Sequence, residues 1–364
     1  MNWWLIYGSA LVGAVVSTVI AVLVFRRLSW KLDFVDHPMS QGHKRHGDAT
    51  PLLGGAAMIV SWSIVCLTGT WMALRLESRL PRWITVYTSG LDKRTGLLLV
   101  IIGGGVVLGI IGLIDDKRPM GWKLKLACQA AVCAVVTYSD QLQITVFQLN
   151  PVVTWTLSFC WFMFIINAFN FFDNMDGLAA GVAFIVSLLF GIVAALRGQQ
   201  FVAVLGAATA GTTMGYYLFN RAPASIFMGD CGSHFLGYLL AVQGALTTFY
   251  RDAESPTLAP LFIPVIVLSP VIYDTFAVTF VRLRQGRSIF AGDHNHISHR
   301  FVRMGYSRRT AVLLVHVITL TLGLGALALM FLPPTGAIII FMQTGAVLTL
   351  ISLIHGSHSS NGKG

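Results

Sequence analysis

Charge is scarce in this chain: 11% of its 364 residues are Asp, Glu, Lys or Arg, and only 15 of them are acidic. A water-soluble domain carries about 25%, so a globule folded in water is excluded. Cysteine is scarce too. Cys66, Cys128, Cys133, Cys160 and Cys231 lie in or near apolar runs without paired spacing, which excludes a disulfide framework and a zinc site and leaves small buried hydrophobes. The formal charge of +10 is not accompanied by a stacking platform or a basic stripe, so nucleic acid is not the partner. The N-terminal stretch MNWWLIYGSALVGAVV lacks the basic start and small-residue cleavage site of a secretory signal. It is expected to be an uncleaved first span.

What the chain has instead is apolar length. Hydrophobic residues make up 55% of it, and mean hydropathy is +0.72. Runs of about 20 apolar residues, enough for a helix to cross a bilayer, recur from end to end. Eleven spans are predicted, at 4–25, 52–74, 96–114, 123–139, 151–169, 177–196, 200–219, 232–250, 257–281, 309–332 and 335–355. The fold class is all-α and polytopic, one integral membrane domain over 1–364, with the motif-bearing core at about 33–300 and the last two spans and a short tail at 301–364. With the N-terminus outside and the C-terminus cytoplasmic, 18 of the 25 Lys and Arg residues fall on the inner side, as Lys and Arg do in cytoplasmic loops. Arg75, Arg79, Arg82, Lys93 and Arg94 are the outer cluster that cuts against it.

Five polar stretches interrupt the spans: DHPMSQGHKRHGDATPLLGG, IDDKRPMGWKLK, NAFNFFDNMDG, FMGDCGS and GDHNHISHR. They follow spans one, three, five, seven and nine, so all five are expected on one face. A transporter would place its carboxylates near the midplane on broken helices, and Asp274 near the inner end of span nine is its main candidate. A scaffold without chemistry would leave these carboxylate-rich loops unexplained.

Adjacent carboxylates such as Asp115 and Asp116 point about 100° apart on a helix, so one is expected to face a reaction centre and the other to be tied to a cation. Asn167, Asn170, Asp173 and Asp176 recur at every third position and form a polar ridge that needs partners. Asp176 also reads as a helix cap. Asp230 sits between Gly229 and Gly232 in a turn whose exposed N–H groups suit phosphate oxygens. Asp293, His294, His296, His299 and Arg300 form an imidazole- and guanidinium-rich loop without zinc spacing, suited to an anion. His43, Lys44, Arg45 and His46 repeat that theme. Carboxylates from three loops and cations from three loops suit a Mg²⁺-complexed diphosphate meeting a membrane-bound substrate. Pro260, Pro264 and Pro270 predict a bent ninth span, beside which a lipid tail has room. Trp3 and Trp4 read as interfacial anchors, and Gly103-Gly104-Gly105 as close helix packing.

These motifs, in this order from about Asp33 to Arg300, resemble those of the polyprenyl-phosphate N-acetylhexosamine-1-phosphate transferases of glycosyltransferase family 4. The resemblance implies transfer of a sugar-1-phosphate from a UDP-sugar to undecaprenyl phosphate, with release of UMP, at the cytoplasmic face of the bacterial cytoplasmic membrane. It implies Mg²⁺, with Mn²⁺ as a substitute, and allows a homodimer. By motif position, Asp115 takes the proton of the lipid phosphate and Asp116 supports the site. Asn167, Asn170 and Asp176 bind the nucleotide, Asp173 and Asp230 the metal, and Asp173 also counts as catalytic. Lys44, His46, Lys123, Lys125, His296, His299 and Arg300 contact substrate. Asn174 stands where the family commonly has glycine, and Ser298 where its histidine motif usually has another histidine. The HISHR stretch is closer to the UDP-GlcNAc branch, which starts O-antigen, enterobacterial common antigen or teichoic acid, than to the phospho-MurNAc-pentapeptide branch of peptidoglycan synthesis.

Overall fold

A computed structural model describes residues 3–36, 49–75, 82–144, 150–247, 249–250, 255, 257–288 and 295–360, without the side chains of 82–89, 91–93 and 354–360. The chain is a helical membrane bundle: α1 (Trp3–Lys31), α2 (Gly54–Arg75), α3 (Arg82–Lys117), α4 (Trp122–Thr137), α5 (Pro151–Phe172), α6 (Leu178–Leu196), α7 (Gln200–Asn220), α8 (Gly229–Leu246), α9 (Ile263–Val267), α10 (Ser269–Arg284), α11 (Ile297–Arg303), α12 (Arg308–Ala328) and α13 (Pro334–Ser360). One element departs from the all-α expectation. β1 (Val35–Asp36) pairs antiparallel with β2 (Thr50–Pro51), in the register Val35 to Pro51 and Asp36 to Thr50.

Each of the eleven predicted apolar segments falls on a helix. Eight of these helices are long and apolar enough to cross a membrane: α1, α2, α3 from Arg94, α5, α6, α7, α12 and α13 to Leu353. The pair Ala259–Val267 and Ser269–Arg284, bent by 66°, is apolar enough to make a ninth if it counts as one broken span. Pro264 and Pro270 sit in the first turns of α9 and α10, where a missing N–H costs nothing, so each proline starts a helix and the bend lies between them. The remaining two, α4 and α8, are 16 and 18 residues long. α8 is almost wholly buried among α2, α3, α5 and α6. A helix walled off by protein tolerates polar residues that a lipid-facing one does not.

The core lies along α6, α7 and α8. α6 packs on α7 and α12, α7 on α1, and α8 on α3 and α5, while α13 is the least enclosed. Small residues permit this closeness, as the triple glycine shows. A Cβ on Gly104 would stand 2.5 Å from Tyr238 Oη, and one on Gly105 3.0 Å from the Phe235 ring, both on α8; Gly103 faces open space. Termini are set by local chemistry: Asn150 accepts from Val152 N at 2.9 Å ahead of Pro151, and Ser307 Oγ accepts from Thr310 N at 3.1 Å.

Candidate active site

The C-terminal end of α3 meets the N-terminus of α8, and the approach is unusually close. A Cβ on Gly112 would lie 2.4 Å from the Asp230 backbone, so only glycine lets the two helices touch here. Gly229 takes φ +62°, and a Cβ there would lie 2.4 Å from Asp116 Oδ2. This packing separates the two adjacent carboxylates. Asp116 accepts from Asp230 N at 2.8 Å and from Cys231 N at 3.1 Å, so it caps α8 from another helix and satisfies N–H groups that have no partner within the helix. Asp115 turns the other way, accepting from Met120 N and, at 3.0 Å, from Lys125 Nζ. The cation of the expected pair therefore belongs to Asp115, and Asp116 is tied to amides.

Lys125 is the hinge of the arrangement. Its ammonium, one turn into α4, contacts both Asp115 and Asp230 Oδ2. On the far side of Asp230, Asn170 Nδ2 donates to Oδ1 at 2.7 Å and reaches Ser233 Oγ at 2.8 Å. Asp173 follows at the end of α5. Burial, then the charges of Asp230 and Asp176, push its carboxyl up to about 7. The Asp173 side of Asp230 is thus acidic and undercompensated, whereas the Asp115 side is neutralised by Lys125.

These are hard oxygen donors of the kind Mg²⁺ takes. Among the described residues, no group of three or more His, Cys, Asp or Glu is gathered closely enough to hold an ion unaided. A divalent ion between Asp230 and Asp173 would complete its shell with waters and phosphate oxygens. The donor set fits that mode of binding, and such an ion would relieve the repulsion that Asp230 and Asp176 add to burial at Asp173.

The histidine stretch is tied in from α10. Asp274, buried, places Oδ2 2.7 Å from His296 Nδ1, and Oδ1 accepts from Ile297 N at 2.6 Å. Both oxygens are occupied in holding the start of α11. Ser298 Oγ donates to Asn174 Oδ1 at 2.6 Å, joining α11 to the loop after α5. Arg300 is buried, donates from Nε to Asn295 O at 2.7 Å, and its Nη2 has no partner among the described residues.

Other candidates stand apart. Asn167 Nδ2 bonds to Met163 O at 2.8 Å, within its own helix. Asp176 Oδ2 accepts from Ala224 N at 3.0 Å and so fixes the loop before α8; the Gly177 N–H that starts α6 goes instead to Asn220 Oδ1 at 3.0 Å. Lys123 is exposed, its ammonium 5.5 Å from the Trp122 ring centroid. His299 is placed by a ring contact with His296, centroids 6.4 Å apart. Lys44 and His46, like His43, Arg45, Asp293 and His294, lie outside the described residues. Sequence reasoning missed Gln129 and His234, buried and 3.0 Å apart one turn beneath Lys125 and Asp230. The i,i+4 repeat of polar residues on α4 and α8 was the signal.

Comparison with known proteins agrees with this geometry. The sequence profile described as "Glycosyl transferase family 4" matches residues 98–248, which run from α3 through α8. The chain is 28% identical over 329 residues to a probable undecaprenyl-phosphate N-acetylglucosaminyl 1-phosphate transferase of Bacillus subtilis, covering 88% of this chain and 84% of the relative. It is 31% identical over 377 residues to the decaprenyl-phosphate N-acetylglucosaminephosphotransferase of Mycolicibacterium smegmatis, covering 95% and 88%. It is 32% identical over 251 residues to the phospho-N-acetylmuramoyl-pentapeptide-transferase of Geobacillus kaustophilus, covering 63% and 72%.

Proposed function

The chain belongs to glycosyl transferase family 4, and on that premise we propose that it transfers N-acetylglucosamine-1-phosphate from UDP-GlcNAc to undecaprenyl phosphate at the cytoplasmic face of the bacterial cytoplasmic membrane. The observation that carries the reading is the Lys125 ammonium shared between Asp115 and Asp230, with an undercompensated Asp173 beyond it. Such a site has a carboxylate for a proton, a cation for a phosphate and an acidic corner for a metal. The GlcNAc branch is supported by relatives that cover more of this chain than the pentapeptide branch does.

In this reading an oxygen of the lipid phosphate attacks the β-phosphorus of the UDP-sugar in line. One P–O bond forms, the bond to UMP breaks, and UMP leaves with the bonding pair. Asp115 accepts the proton of the lipid phosphate when that group arrives protonated, and Lys125 keeps Asp115 aimed. Asp116 holds Asp230 at the head of α8. Arg300, with one guanidinium nitrogen unpartnered among the described residues, and His296, held by Asp274, receive the diphosphate. Mg²⁺ on Asp230 and Asp173 would supply charge neutralisation for the transferring phosphoryl group. Eleven spans, N-terminus outside, complete the reading: the described basic residues at the foot of α1, after α3 and around α11 lie at the carboxylate-bearing end.

The test is an assay of purified protein with undecaprenyl phosphate and a panel of UDP-sugars, with and without Mg²⁺. UMP release and lipid-linked product are expected with UDP-GlcNAc and Mg²⁺ and lost in Asp230→Ala. Normal turnover in that variant removes Asp230 from the site. Turnover only with UDP-MurNAc-pentapeptide moves the chain to the other branch.

A further inference from the structure

The foot of α1 carries a second basic cluster, apart from the residues assigned to the proposed transfer. α1 faces lipid along most of its length, exposing Leu5, Val12, Val16, Ile20 and Val24. Tryptophans mark both ends, with Trp4 and Trp30 each more than half exposed. At 1.5 Å per residue they stand about 40 Å apart, close to the thickness of a bilayer with its headgroups. Trp30 is therefore at headgroup level.

Beside it lies a cavity of about 410 Å³, lined by Arg26, Arg27 and Trp30 on α1, by Thr50 and Pro51 of β2, and by Ala224 and Ser225 ahead of α8. Arg26 stands one turn from Trp30 on the same helix face. Among the described residues neither Arg26 nor Arg27 has a hydrogen bond or ion pair within the protein. The nearest carboxylates along the chain, Asp33 and Asp36, each have an interaction of their own. The far wall is fixed: Ala224 N donates to Asp176, and Ser225 N and Oγ both donate to Phe219 O. Two adjacent unpaired guanidiniums in a pre-formed cavity match a phosphate group. A flanking tryptophan at the membrane boundary makes that phosphate a lipid's.

We propose that this cavity binds the headgroup of an anionic phospholipid from the leaflet that carries the carboxylates. The full-length protein in nanodiscs is measured by native mass spectrometry with phosphatidylglycerol and with phosphatidylcholine. Phosphatidylglycerol retention is expected to fall on the order of tenfold in the Arg26→Gln/Arg27→Gln variant and to hold in Lys31→Gln, which removes an exposed charge outside the cavity. Equal loss in both overturns the proposal, as does unchanged retention in the double variant. A measurement on the unaltered protein guards against misfolding. Phosphatidylglycerol should protect Arg26 and Arg27 from phenylglyoxal, read by peptide mass spectrometry, and phosphatidylcholine should not. Equal protection by phosphatidylcholine overturns charge recognition; equal protection by inorganic phosphate alone overturns the lipid as ligand.

Discussion

Ser298 Oγ donates to Asn174 Oδ1 over 2.6 Å, so the two positions that depart from the family pattern touch each other. Asn174 also donates from Nδ2 to Phe172 O at 3.1 Å, anchoring it to the end of α5. The pair is a strut between α11, which bears His296 and Arg300, and the loop bearing Asp173 and Asp176. Ser298→Ala leaves a part-buried amide oxygen unpartnered, a loss of about 1–2 kcal/mol. Steady-state kinetics should show kcat/KM for the nucleotide sugar reduced about fivefold to thirtyfold, with Ser298→Thr recovering most of it. A Ser298→Ala enzyme with unchanged kinetics would leave the strut without a function.

Asp115 and Asp116 should fail in different ways. Asp116→Ala strips the acceptors from two amides at the head of α8, which costs about 1–3 kcal/mol. It should lower the midpoint of thermal unfolding in detergent by several degrees as well as reduce UMP release. Asp115→Asn keeps a similar shape and an acceptor for Met120 N, so its unfolding midpoint should stay close to the parent's while UMP release collapses. Matching thermal shifts in the two variants would contradict the division of labour that the geometry draws.

Much of this site was legible in the sequence because its parts are loops at alternate span ends, and counting spans places such loops on one face. The bend of the ninth span was legible from its prolines. The partner of Asp116 was not. A carboxylate capping a helix 114 residues away leaves no local spacing to read. The partner of Asp274 was hidden for the same reason: His296, 22 positions on, closes over it only in the fold. Reading α8 from its apolar run alone missed that its burial among neighbouring helices is what lets His234 sit on it.

The Asp173 carboxyl lies at about 7 in the folded chain against an ordinary value near 3.8. The folded state therefore holds a proton that the unfolded state has already released. Stability is fully present below the unfolded value and falls as pH rises through about 7. In chelator, thermal unfolding should occur at lower temperature at pH 8 than at pH 6, and Asp173→Asn should flatten the difference. A pH profile of Asp173→Asn identical to that of the parent would show that another group carries the slope.

Gln129 Nε2 and His234 Nε2 meet 3.0 Å apart, both side chains fully buried. They bridge α4 and α8 one turn below the Lys125–Asp230 contact. Removing one partner leaves the other desolvated and unpaired, at about 1–3 kcal/mol. Replacing both with apolar side chains removes the unmet polar groups together. Gln129→Leu and His234→Leu should each lower the unfolding midpoint, and the double variant should unfold at a higher temperature than the worse single. The kinetic readout separates packing from positioning. If the pair aligns α4 on α8, the double variant regains stability but not kcat, because nothing then sets the register that brings Lys125 to Asp230. Additive thermal losses would show that the two side chains act independently, and the bridge between the helices would have to be sought elsewhere.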